Sequence, residues 1–145
     1  MLPSTSGRVR EHTAEQVNEQ IRRQTEQNVE HYAKRGSDAI ESRLSELQHE
    51  WDIERTLQTN FALVTLVGIA LGQLVNRSWL AFSGAAAGFM LQHALQGWCP
   101  PVPIFRRLGF RTSAEIDAER YALKAVRGDL RAMESRQEQS IPAAH

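Results

Sequence analysis

The sequence is poor in cysteine, has no surplus of either charge, and lacks charge of both signs over long stretches of its middle. One cysteine, Cys99, in 145 residues excludes an internal disulfide and a multi-cysteine metal site. Seventeen Lys and Arg balance seventeen Asp and Glu. No concentrated basic face emerges, which argues against a nucleic-acid partner. No apolar run lies near the first residues, so no signal peptide is expected and insertion would have to be directed from inside the chain. Between Leu57 and Val75, and again between Trp79 and Trp98, there is no Lys, Arg, Asp or Glu.

What fills those stretches is apolar. Each is about twenty residues, about 30 Å of helix, which matches the hydrocarbon thickness of a bilayer. Only Asn76, Arg77 and Ser78 separate them. The expected fold is therefore all-α: a two-helix transmembrane hairpin, 57–75 and 79–98, flanked by amphipathic cytoplasmic helices. A buried helical pair inside a soluble all-α protein would show similar hydrophobicity. The flanking tryptophans and the small residues favour the membrane.

Small residues set the packing. Gly68 and Gly72 in the first span, and Gly84 and Gly88 in the second, each form a G-x-x-x-G pattern that strips one helix face and lets two backbones approach. Packing within the hairpin and packing between protomers both remain open. Arg43 and Arg55 precede the hairpin, Arg106, Arg107 and Arg111 follow it, and the loop holds only Arg77. The positive-inside rule then puts both termini in the cytoplasm. Trp51, Arg55, Trp79, Trp98, Arg106 and Arg107 are the candidate interfacial anchors.

The polar arms divide as follows. Residues 1–12 have no apolar rhythm and are expected as a disordered tail. A cytoplasmic helical arm covers 13–56, with a break near Gly36. Its first stripe is Val17, Ile21, Asn28 and Tyr32; its second is Ile40, Leu44, Leu47 and Trp51. Ser37 or Asp38 is expected to cap the second helix, which should run on through Trp51–Arg55 into the first span. Pro100, Pro101 and Pro103 make 99–111 an extended interfacial turn. A C-terminal amphipathic helix is expected over 112–134, opened by Thr112 with Glu115 and striped by Ile116, Leu123, Val126, Leu130 and Met133. Residues 135–145 read as a second tail.

Glu54-Arg55 before the first span, the glycine pair inside it, Gly97-Trp98-Cys99-Pro100 closing the second and Leu108-Gly109 with Thr112 form a pattern. It resembles the YgaP-like family of small bacterial transmembrane domains, whose members include the membrane hairpin of an inner-membrane rhodanese. The resemblance covers about Trp51–Ser113. It implies a bacterial inner-membrane hairpin. It does not bring sulfur transfer with it, because Met1–Thr56 has neither the rhodanese α/β pattern nor its cysteine.

Cys99 is the candidate functional thiol. A helix C-terminus raises a thiol pKa, while Arg106 and Arg107 could offset this. Packing, a redox, acylation or sulfur-accepting role, and metal ligation all stay open. Gln92, His93 and Gln96 share its end of the second span, and their plain role is interfacial hydrogen bonding. His12, His31 and His49 show no zinc spacing. No catalytic residue, metal or cofactor is expected. The function that fits is a non-enzymatic membrane adaptor or assembly module, self-associating or binding another membrane or cytoplasmic protein through its arms. Thiol-dependent sulfur or redox chemistry at Cys99 is one alternative. An oligomeric transporter or channel subunit is the other.

Overall fold

The computed structural model describes residues 7–140, and all regular structure among them is helical. Seven helices follow in order: α1 (Arg8–Glu11), α2 (Glu15–Ala33), α3 (Ser37–His49), α4 (Ile53–Leu74), α5 (Ser78–Gln96), α6 (Val102–Arg107) and α7 (Ser113–Ser140). The all-α expectation holds.

Several boundaries differ from the sequence reading. The supposed tail contains α1, whose Val9 is buried; one four-residue turn is too short to carry a periodic signal. The residues before position 7 lie outside the described set. Gly36, at φ +91°, takes the cap position of α3, and Ser37 is already the first helical residue. Helix α3 does not run into α4. Glu50 turns extended, and Asp52 starts α4 afresh by accepting the Arg55 N–H at 2.7 Å. The proline segment is partly helical, because Pro101 and Pro103 occupy the cap and first turn of α6, where a missing N–H costs nothing. Helix α7 continues through Ser140, past the expected end, and residues 141–145 lie outside the described set.

The described chain divides into two compact units. The first joins the residues up to Ile21 with Trp51–Ser113, and the second joins Arg22–Glu50 with the residues from Ala114 on. In the second unit, Ile40, Leu44 and Leu47 of α3 bury against Ile116 and Leu123 of α7, with Val29, Tyr32 and Val126 packed at the edge. These stripes thus cover each other. Trp51 is not part of that core and is 45% exposed, with Arg55 stacked 4.4 Å from its ring centre. The side chains of Leu130 and Met133 lie outside the described set.

In the first unit, α4 and α5 pair through the turn at Val75–Arg77, where Asn76 Oδ1 accepts the Ser78 N–H at 2.9 Å. Gly72 meets Leu80 and Gly68 meets Ser83, so the two helices run antiparallel. Among the described residues one helix, within Ser37–Leu74, is long and apolar enough to cross a membrane. Helix α5 falls short of that measure, because Gln92, His93 and Gln96 weigh down its end. Polar residues at the start of α4 are satisfied on their own helix: Thr56 Oγ1, Thr59 Oγ1 and Asn60 Nδ2 donate to the carbonyls four residues back at 2.9, 2.9 and 3.1 Å.

Candidate functional site

The chain's one thiol lies where α5 ends. Gly97 closes that helix at φ +76°, its N–H bound to the His93 carbonyl at 2.7 Å. This is the left-handed cap that glycine adopts without steric penalty. The following turn drops Cys99 into an apolar cluster with Val9, Ile53, Leu57 and Val102, over which Phe61, Phe105 and Phe110 pack. Cys99 is fully buried. Burial pushes its thiol pKa up, and a hydrogen bond from the Val102 backbone only partly opposes this. Nucleophilic sulfur is thiolate, so the site disfavours reactivity.

A pH dependence follows. Folding holds the proton on Cys99, so its contribution to stability is whole below the ordinary thiol pKa and is lost as pH rises through the higher folded value. In the folded protein, iodoacetamide alkylation at neutral pH should be at least about tenfold slower than in urea. Comparing the two rates across pH checks this, and equal rates would mean that the thiol is not enclosed.

Arg8 crosses to this end of the helix pair. Its Nη1 donates to the Ala94 carbonyl at 2.8 Å and its Nη2 to Glu54 at 3.1 Å. The glycine at 97 is required for this contact: a Cβ there would stand 2.5 Å from Cβ of Arg8. His93 is 2% exposed, and neither ring nitrogen has a hydrogen-bond partner among the described residues. His93 is therefore enclosed rather than placed at the interface that its position in the sequence suggests. Among the described residues no three His, Cys, Asp or Glu converge as metal ligands.

Arg106 was expected to face lipid headgroups. It is instead 1% exposed and binds three parts of the first unit: Phe110 O at 3.1 Å, Thr13 Oγ1 at 3.2 Å and Asn18 Oδ1 at 2.9 Å. A fork of five donors suits this internal bracing better than a lysine would. Arg107 is exposed, as are Arg55, Trp79 (40%) and Trp98 (37%).

The four glycines separate into two pairs. Gly68 and Gly72 are buried against α5: a Cβ on Gly68 would overlap Ser83 Oγ, and one on Gly72 would lie 2.6 Å from Leu80. Ser83 Oγ also reaches the Thr65 carbonyl across the interface at 3.2 Å. Gly84 and Gly88 are not in this contact, and nothing lies within 4 Å of a Cβ built on either. The face of α5 that packs carries Ser83 and Ala86 instead. One turn of a helix holds several small residues, and spacing alone could not select which of them face the partner. Gly68→Leu should destabilise the helix pair by about 2 kcal/mol, whereas Gly84→Leu should change it by less than about 0.5 kcal/mol. Thermal unfolding in detergent compares them.

Comparison with family models, curated proteins and solved structures finds no match. The geometry must therefore speak for itself.

One residue with a buried charge escaped the sequence reading. Glu119 is fully buried in the second unit, where Arg43 Nε binds it at 2.9 Å and Asn28 Nδ2 at 3.4 Å. Burial alone would favour an uncharged Arg43. The bonds to Glu119 and Glu46 outweigh it and hold the guanidinium pKa above its ordinary value. The signal was the gap in the α7 stripe, because Glu119 sits three residues after Ile116 and four before Leu123, on the same face.

Proposed function

We propose that this chain is a membrane-anchored, non-enzymatic helical module, with α4 and α5 as a transmembrane hairpin and both termini on the cytoplasmic side of a bacterial inner membrane. One observation carries the reading. The most apolar eighteen-residue window of the helix within Ser37–Leu74 is only 17% buried, where the core helix of a soluble protein would be mostly covered. Leu63, Leu66, Val67, Leu74, Phe82 and Leu91 stand exposed along α4 and α5, a far larger apolar surface than water tolerates on a monomer. Lipid is the solvent that suits it. Helix α5 accompanies α4 because the small-residue contacts at Gly68 and Gly72 join the pair.

The YgaP-like resemblance fits this reading as a folding signature. Within its motif Gly97 supplies the left-handed cap, Cys99 fills the apolar cluster and Thr112 is buried just before α7. These are structural duties, which favours an anchor over a thiol catalyst. Helices α3 and α7 spend their apolar stripes on each other, so contacts with a partner would use polar surface.

Alkaline carbonate washing of membranes from expressing cells tests the proposal. The protein should stay in the pellet, and release into the supernatant would overturn the membrane reading.

A further inference from the structure

Between α3 and α7 the second unit carries a cleft of about 460 Å3 lined by Glu41, Leu44, Ser45, Gln48, Arg120, Lys124 and Arg127. Three cations come from one face of α7, at spacings of four and three, and one carboxylate comes from α3. The carboxylate is already engaged: Glu41 pairs with Arg127 and lies 3.7 Å from Arg131. Arg120 donates from its Nη atoms to Asp117 at 2.9 Å and to the Leu47 carbonyl at 3.4 Å, and its buried Nε meets no acceptor among the described residues. The Lys124 ammonium lies over the Tyr121 ring, 5.9 Å from its centre, and has no ion-pair partner among the described residues. Ser45 and Gln48 add neutral donors on the facing helix.

We infer that this cleft binds a phosphate group. Three lining cations against one carboxylate, with hydroxyl and amide donors opposite, form a donor-rich pocket for a tetrahedral oxyanion. The volume leaves room for more than the phosphate, so the group can be free phosphate or the headgroup of an anionic lipid. Leu44 in the lining gives an apolar edge for what is attached to it. The inference is independent of the membrane proposal, because it concerns only the second unit.

The test follows the arginine Nε–H resonances of the full chain in a zwitterionic detergent. Inorganic phosphate and dihexanoyl phosphatidic acid are titrated separately, each against chloride at matched ionic strength. A saturable shift of the Arg120 Nε–H signal is expected, with about tenfold weaker binding in Lys124→Gln, which removes one charge-assisted contact at an exposed position. A response to phosphate points to a free ligand. A response to phosphatidic acid alone points to a lipid headgroup. Shifts that chloride reproduces, or that Lys124→Gln leaves unchanged, would overturn the site. A circular dichroism spectrum matching the wild type certifies that the variant is folded.

Discussion

Gly97→Val is expected to open the end of the apolar helix pair and to destabilise the first unit by about 3 kcal/mol. Two costs combine. A β-branched residue at φ +76° is forced into the left-handed region, for about 1–2 kcal/mol. Its Cβ would also stand 2.5 Å from side-chain carbons of Arg8 and 2.9 Å from the Arg8 backbone carbon. Backbone cannot rotate out of the way as a side chain can, so α1 must retreat. That withdraws Arg8 from the Ala94 carbonyl and lifts Val9 out of the cluster around Cys99. Gly109→Val is the control, since Gly109 shares the positive φ (+92°) but nothing lies within 4 Å of its would-be Cβ. Denaturant unfolding should rank Gly97→Val well below Gly109→Val, and Cys99 should alkylate faster in the first. Equal effects would show that the Arg8 contact carries no weight.

Glu119→Ala is expected to cost the second unit about 3–5 kcal/mol. The variant leaves Arg43, whose side chain is 17% exposed, with the Tyr32 ring and the more solvated Glu46 and Glu50 at 3.0 and 3.9 Å. It also leaves a hole between Ile116 and Leu123. The informative comparison is Arg43→Met with Glu119→Leu. Breaking a buried pair is costly, whereas replacing both partners by apolar side chains of similar volume often is not. The double variant should therefore be more stable than Glu119→Ala alone. If it is less stable, the ion pair contributes more than apolar packing at that position. Urea midpoints with unchanged slopes read out both.

These two residues also mark how far the sequence could be read. The helices were legible because their apolar positions recur at helical spacing, and the α3 and α7 stripes named the second core almost residue by residue: Ile40, Leu44, Leu47, Ile116 and Leu123. What periodicity could not supply was the polar residue inside a stripe. Glu119 reads as a gap until its partners Arg43 and Asn28, distant in sequence, are brought beside it. Arg106 failed for the same reason. Its charge and flanking prolines suggest an interfacial residue, and only the folded turn shows Thr13, Asn18 and the Phe110 carbonyl around it. Short elements were lost too: α1 has four residues, and Arg8 and Val9 make their tertiary contacts with chain more than forty residues away. At Cys99 the sequence left packing, reactivity and metal binding open, and burial in an apolar cluster favours packing.

The membrane hairpin is the central claim, and the turn between α4 and α5 is where it is most exposed to test. Ser78→Cys in a Cys99→Ser background places one thiol in that turn. It is then labelled with a membrane-impermeant maleimide in intact spheroplasts and in inverted vesicles. Reaction in spheroplasts and protection in inverted vesicles would put the turn across the membrane from the arms, as the account predicts. Reaction only in inverted vesicles, or with protein recovered free of membrane, would contradict it.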